Sequence, residues 1–247
     1  MMKNKVVIIT GAASGIGEAA ALLFGKEGAK VVVSDINTRA GEEVVKRIQK
    51  FGGTASFFKA DVASAAENKA LVDHAVKTYG TLDIAVNNAG IGGEANKIVE
   101  MSLEGWHRVI DINMHSVFYG MKYQIEAMLK HGHGSIVNIT SILGSVGFEG
   151  SAGYVAAKHA IVGMTKTAAI EYSSQGIRIN AVGPAFIDTP LLDQLDDDIK
   201  NQLVSLHPMG RLGRSNEVAE LILWLGSDKA SFATGSYYPI DGGYLAR

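Results

Sequence analysis

The sequence predicts an α/β protein built on one doubly wound parallel sheet of about seven strands, with helices on both faces. Three observations carry this. Strand-like runs alternate with helical patterns six times along the 247 residues, with no break in composition. The first of these runs are continuously apolar and β-branched, as parallel strands covered on both faces require. Finally, 29 of the 247 residues are glycine and only four are proline. An average protein has about 7 % glycine. These glycines follow no G-x-y period, so they mark tight turns or backbone that must approach a ligand closely.

Taken in order, residues 5–10 (K-V-V-I-I-T) read as a buried strand and residues 15–28 as a helix. Residues 30–35 (K-V-V-V-S-D) form a second strand. Residues 38–51 read as an amphipathic helix with Val44, Val45, Ile48 and Phe51 on one side. The alternation continues with a strand at 55–60, a helix at 65–79, a strand at 82–87 and a long helix at 102–130. A strand at 135–140, a helix at 152–175 and a strand at 178–182 follow. The segment 185–211 breaks the rhythm with Pro190, Pro208 and the acidic run D-Q-L-D-D-D. It reads as a lid-like insertion with short helices. A helix at 217–225 and a strand at 235–240 close the chain. The whole of 1–247 therefore reads as one domain.

Composition excludes several classes. A formal charge of -2 argues against binding nucleic acid through its phosphates. Zero cysteines exclude disulfides and thiolate metal sites and suit a cytoplasmic setting. No apolar run is long enough to span a membrane. The apolar core of the opening M-M-K-N-K-V-V-I-I-T is about five residues, short of a secretory signal. His131 and His133 have no third ligand in the sequence pattern and read as a surface loop, so no metal is expected.

The first strand runs into T-G-A-A-S-G-I-G, Thr10 to Gly17, and then a helix. Such a turn offers free backbone N–H groups and the positive end of a helix dipole to an anion. Gly11, Ser14, Gly15, Ile16 and Gly17 are the candidate pyrophosphate residues. Asp35 ends the second strand 18 residues beyond Gly17. A carboxylate there can accept both adenosine ribose hydroxyls. It would repel a 2′-phosphate, and its turn neighbours Ser14 and Ile36 offer no cation, so NAD(H) is expected over NADP(H). Asp61-Val62 closes the third strand, where Asp61 suits the adenine amino group. Asn87-Asn88-Ala89-Gly90 closes the fourth, and Asn87, Ala89 and Gly90 are candidate cofactor residues. A turn-only reading of that run is equally open.

Tyr154 and Lys158 lie one helical turn apart on one face. A nearby ammonium favours tyrosinate and lowers the phenol pKa, which suits a proton donor or acceptor near neutral pH. As a bare pattern Tyr-x3-Lys is weak. Context lifts it: Ser141 ends the strand 135–140 with a hydroxyl fit to hold a substrate oxygen. Asn113, inside the long helix, is expected to open a helical turn and bind a water beside Lys158.

Taken together, these motifs and their order resemble the short-chain dehydrogenase/reductase family over essentially the whole chain. The resemblance implies a Rossmann-like fold, an Asn113–Ser141–Tyr154–Lys158 tetrad and metal-free hydride transfer from a nicotinamide cofactor. Tyr154 is then the general acid/base, Ser141 orients the carbonyl, and Lys158 binds the nicotinamide ribose. The family often has Pro-Gly after the sixth strand, and here it reads Pro184-Ala185. Ile187 and Thr189 resemble the anchor of the nicotinamide carboxamide. The resemblance also implies a homotetramer. Met114, Met121 and Met128, with the smooth face of Ala156, Ala160 and Gly163, are expected at its interfaces.

Ile142, Leu143, Val146 and Phe148 follow Ser141, and Phe186, Leu191, Leu192 and Leu195 populate the lid segment. They predict an apolar pocket for a ketone or secondary alcohol. A 3-oxoacyl-[acyl-carrier-protein] reductase is the alternative, against which Asp35 argues because those reductases mostly use NADPH. A non-catalytic dinucleotide-binding regulator is a remote alternative, because such proteins typically lose the Tyr/Lys pair.

Overall fold

The computed structural model describes residues 2–190, 192 and 196–246. Seven parallel strands form one sheet in the order β3-β2-β1-β4-β5-β6-β9. Their ranges are β1 Val6–Thr10, β2 Lys30–Asp35, β3 Thr54–Lys59, β4 Ile84–Asn87, β5 Gly134–Ile139, β6 Ile177–Pro184 and β9 Tyr237–Ile240. The order reverses between β1 and β4. Open α/β sheets bind ligands at such a switch point, beyond the carboxyl ends of the strands.

The connecting helices are α1 Gly15–Lys26, α2 Thr38–Lys50, α3 Ala65–Tyr79, α4 Leu103–Ile110, α5 Ser116–Leu129, α6 Ala152–Tyr172, α7 Asp197–Ser205 and α8 Ser215–Gly226. Strand side chains alternate between two cores. Val7, Ile9, Val31 and Val33 pack with α1, α2 and α8, while Val6, Ile8 and Val32 pack with α3, α5 and α6. Both faces are thus covered, which explains why β1 and β2 read as unbroken apolar runs.

Four expectations need correction. The helix expected at 102–130 is α4 and α5 joined by a π-helical turn at Asp111–His115. The 185–211 segment contributes more than short helices: β7 (Ile187–Asp188) pairs in parallel with β8 (Gly213–Arg214) in a second small sheet. Met121 and Met128 are buried within their own protomer, because that face of α5 turns toward the sheet. What α5 and α6 expose instead is Phe118, at 51 %, and Ile170, at 82 %. The fourth concerns Asn87, whose amide sits inside the fold, 5 % exposed, in a network described below.

A buried set of amides ties the layers together. Asn87 Nδ2 donates to Asn138 Oδ1 (2.8 Å) and Gln124 Oε1 (3.1 Å), and Gln124 Nε2 donates to Asn87 Oδ1 (2.8 Å). Asn138 Nδ2 continues to Thr165 Oγ1 (3.0 Å) on α6. Gly120 makes room for the network, since a Cβ there would lie 2.7 Å from Asn87 Oδ1. All of these side-chain groups are paired, as buried polar groups require.

Candidate active site

The carboxyl edge of β1 is built around Thr10. Its hydroxyl accepts from the backbone N–H of Asn88 (3.1 Å) and Ala89 (3.2 Å). Asn88 Nδ2 in turn donates to the carbonyls of Thr10 and Gly11. The Gly-rich turn is therefore clamped to the end of β4. Asn88 was not singled out in the sequence, since nothing in N-N-A-G tells which asparagine faces the turn. Gly17 is fixed by close approach: a Cβ there would stand 2.2 Å from the Gly11 carbonyl oxygen. Gly11 and Gly15 have φ of 61° and 56°, a region that favours glycine.

Helix α1 starts at Ser14, whose hydroxyl makes no bond to the helix. The first-turn N–H groups of α1 have no intrahelical partner by construction. Asp35 flanks the same turn: one carboxylate oxygen accepts from Ala13 N–H (3.1 Å) and the other from Asn37 N–H (2.9 Å). Asp35 does not cap the next helix, because Asn37 does so by accepting from Ala40 N–H. Ile36 is exposed beside it. On the far side, the Thr189 methyl and Pro190 lie against Gly15, and Thr189 Oγ1 donates to the Ile187 carbonyl (3.2 Å). Pro184 is buried at the end of β6. Asp61 is exposed after β3, and Val62 is buried beside it. An open helix N-terminus next to a carboxylate pairs the donors that a dinucleotide's pyrophosphate needs with the acceptor that its ribose hydroxyls need. The residues fit a nicotinamide dinucleotide, which when bound supplies or takes up hydride.

Tyr154 sits in the first turn of α6, and Lys158 follows one turn later, 3 % exposed. Lys158 Nζ donates to the Ile139 carbonyl (2.9 Å) and lies 5.2 Å from the centre of the Tyr154 ring. Thr140 fixes the helix from beneath by donating to the Lys158 carbonyl (2.9 Å). Ser141, just beyond β5, brings its hydroxyl near enough to the Tyr154 phenol to lower its pKa, and that hydroxyl accepts from Leu143 N–H (3.2 Å) and donates to the Pro184 carbonyl (3.4 Å). Tyr237 holds the Ser141 backbone from β9, donating to its carbonyl (3.0 Å). Asn113 lies in the π-helical turn and donates both amide protons to backbone, at Ile91 and Val109. Its oxygen accepts from Ile91 N–H (3.2 Å). What Asn113 brings beside Lys158 is therefore the Gly90–Ile91 backbone. A Cβ on Gly90 would lie 2.6 Å from Asn113 Oδ1 and 3.7 Å from Lys158 Nζ.

The electrostatics differ from the simple expectation. Burial pushes the Tyr154 phenol up to about 12, against a lowering by the neighbouring Ser141 hydroxyl. Burial also pushes the Lys158 ammonium down to about 8. In the protein alone desolvation outweighs any pull of Lys158 on the phenol, so Tyr154 is a protonated donor.

The pocket residues are arranged in two groups. Ile142 and Leu143 are buried in a 3-10 turn after Ser141. Phe148 meets Phe186 at 5.8 Å, and Phe186 meets His207 (5.9 Å) and Tyr244 (6.1 Å) edge-on. Leu191 and Leu195 lie outside the described residues. His131 and His133 bond each other (2.9 Å), and His133 faces Asp83 (2.9 Å) at the opposite, amino-terminal edge of the sheet, where β4 and β5 begin. Among the described residues no group of three such side chains is placed to hold a metal.

A family model described as Enoyl-(Acyl carrier protein) reductase matches residues 11–245. The chain is 51 % identical over 244 residues to a cyclohexanol dehydrogenase of Acinetobacter sp. strain SE19, covering 99 % of this chain and 96 % of that one. The chain is a short-chain dehydrogenase/reductase. As a member of that family it is an oxidoreductase acting on CH–OH groups with a nicotinamide dinucleotide. This reductase/dehydrogenase is also 41 % identical over 244 residues to the 3-oxoacyl-[acyl-carrier-protein] reductase of Thermotoga maritima, covering 99 % of both. Its fold superposes on levodione reductase with a TM-score of 0.96 at 33 % identity, covering 100 % of this chain and 99 % of that one. Among the described residues no helix is long and apolar enough to cross a membrane.

Proposed function

We propose that the protein interconverts a ring-bearing secondary alcohol and its ketone, with NAD(H) preferred over NADP(H). The observation that carries the mechanism is the Tyr154 phenol beside the Ser141 hydroxyl, with the buried Lys158 one turn away. Ser141 and Tyr154 hold the substrate oxygen between them. Tyr154 donates its proton to a ketone oxygen and takes it back from an alcohol. Lys158 holds the nicotinamide ribose, and its ammonium stabilises the tyrosinate during turnover. Asp35 accepts from the adenosine ribose hydroxyls and disfavours a 2′-phosphate by like charge. Gly11, Gly15, Ile16 and Gly17 present the pyrophosphate site, and Ile187 and Thr189 the carboxamide anchor.

The cyclohexanol dehydrogenase relative supports a cyclic alcohol, and Phe148 with Phe186 supplies the apolar wall. The exposed Phe118 and Ile170 support assembly through α5 and α6 into a homotetramer. A monomer in sedimentation at micromolar concentration would overturn that part.

The kinship with the acyl-carrier reductase supports a second reading. One panel separates them: cyclohexanol, cyclohexanone and an acetoacetyl thioester, each with both nicotinamide cofactors. Cyclohexanol turnover with NAD+ is expected, and Tyr154→Phe should lower kcat about 1,000-fold. Preference for the thioester with NADPH would reverse the assignment, and full activity of Tyr154→Phe would sink the mechanism.

A further inference from the structure

The cleft that reaches Tyr154 contains one ionisable group that the mechanism does not use. Glu94 lies in the loop between β4 and α4 and lines this cleft together with Met101, Gly105, Val109, Ser151 and Tyr154. Among the described lining residues there is no cation. The wall is otherwise small or apolar, apart from the Ser151 hydroxyl.

The carboxylate is held in place. Ser102 Oγ donates to it at 3.1 Å from Oε1 and 3.3 Å from Oε2, and Asn96 Nδ2 donates to Oε2 at 3.2 Å. Gly105 makes the space, since a Cβ there would stand 2.7 Å from the carboxylate carbon and from Oε1. A carboxylate has about four lone-pair positions. Ser102 and Asn96 make three contacts with it, which leaves room for a further donor. A group so placed can accept a hydrogen bond from a substrate hydroxyl and repels a substrate anion.

We propose that Glu94 is a specificity-determining residue, which selects ring alcohols by the substituent across the ring from the reacting carbon. A second hydroxyl is accepted by the Glu94 carboxylate, and a carboxylate at the same place is rejected. This rests on the ring-alcohol reading above and names its preferred substrate class as neutral diols.

The test compares kcat/KM for cyclohexanol, cyclohexane-1,4-diol and 4-hydroxycyclohexanecarboxylate in the wild-type enzyme, Glu94→Gln and Glu94→Lys, each with NAD+. The readout is the ratio between substrates within one variant, so a general loss of activity cancels. The carboxylate-to-cyclohexanol ratio should rise at least about tenfold in Glu94→Gln and further in Glu94→Lys. The diol-to-cyclohexanol ratio should fall about threefold or more in Glu94→Lys. Raising the ionic strength should weaken the wild-type rejection of the carboxylate without altering the diol ratio. Ratios that stay constant across the three proteins, while cyclohexanol is turned over, would make Glu94 an anchor of its loop and overturn the proposal. If the wild-type enzyme turns over none of the three alcohols, the ring-alcohol reading fails first and this inference falls with it.

Discussion

Helices α1 and α3 both leave a strand at the carboxyl edge of the same sheet, yet their first turns are built in opposite ways. At α3 the chain satisfies itself: Ser64 accepts from Glu67 N–H, and the Glu67 carboxylate accepts from Asp61 N–H. At α1 the cap residue Ser14 makes no side-chain bond, and glycines replace side chains that would fill the space. A closed helix end adds to stability, whereas an open one keeps its donors for a ligand. The protein thus forgoes a cap bond at the proposed cofactor site, as it does at Ser151 where α6 brings in Tyr154, and keeps caps at Asn37, Ser64, Ser102 and Asp196.

The contrast can be broken most sharply at Gly17. Its Cβ would collide with the Gly11 carbonyl, which is backbone and cannot swing away. Gly17→Ala should weaken NADH binding by about 100-fold or more in a fluorescence titration, with a lower Tm. Unchanged binding would mean that the turn does not hold the pyrophosphate.

Lys158 extends the contrast from donors to charge, being a buried ammonium whose side chain donates to a single protein carbonyl. Its folded pKa, about 8, lies below its ordinary value of 10.5. Between those values the unfolded chain binds more protons than the folded one, so stability rises with pH across that window. The contribution is about 3 kcal/mol at most. Denaturant melts from pH 7 to 10.5 should show this rise in the wild-type protein relative to Lys158→Met, and parallel curves would contradict the burial argument.

Asp35 tests whether the open end discriminates between ligands. Asp35→Ala should shift the NADH-to-NADPH ratio of kcat/KM by about tenfold toward NADPH. A parent enzyme that already prefers NADPH would refute the assignment. The smallest effect separates the two helix ends themselves. Ser64→Ala should cost about 1 kcal/mol of stability and leave NADH affinity intact. Ser14→Ala should cost well under that, because no cap bond is lost.

Much of this edge was legible in the sequence, for a local reason. β-Branched runs, the glycine spacing and Asp35 all act within a strand and the turn that follows it. Tyr154 and Lys158 were legible because a helix fixes their relative position. Other features required the packed molecule. Asn87 reads as a turn residue until β5 and α5 bring Asn138 and Gln124 against it. The methionines at seven-residue spacing mark a face of α5, but not whether that face meets the sheet or a partner. Glu94 joins Tyr154 only because the β4–α4 loop folds back over α6. The altered balance of the phenol and ammonium has the same origin, since burial is a property of the assembled layers.

The amides of Asn87, Gln124 and Asn138 carry a consequence for how the chain finds its fold. Asn87 and Asn138 are register partners on adjacent parallel strands. Sliding β5 by one residue against β4 would turn Asn138 to the opposite face and leave several buried amides unpaired, at about 1–3 kcal/mol each. Apolar side chains on the same strands would tolerate such a slip far better. The network therefore works as an error check during folding. It admits only the sheet in which Asn138 lies level with Asn87, and Ser141 follows three residues on.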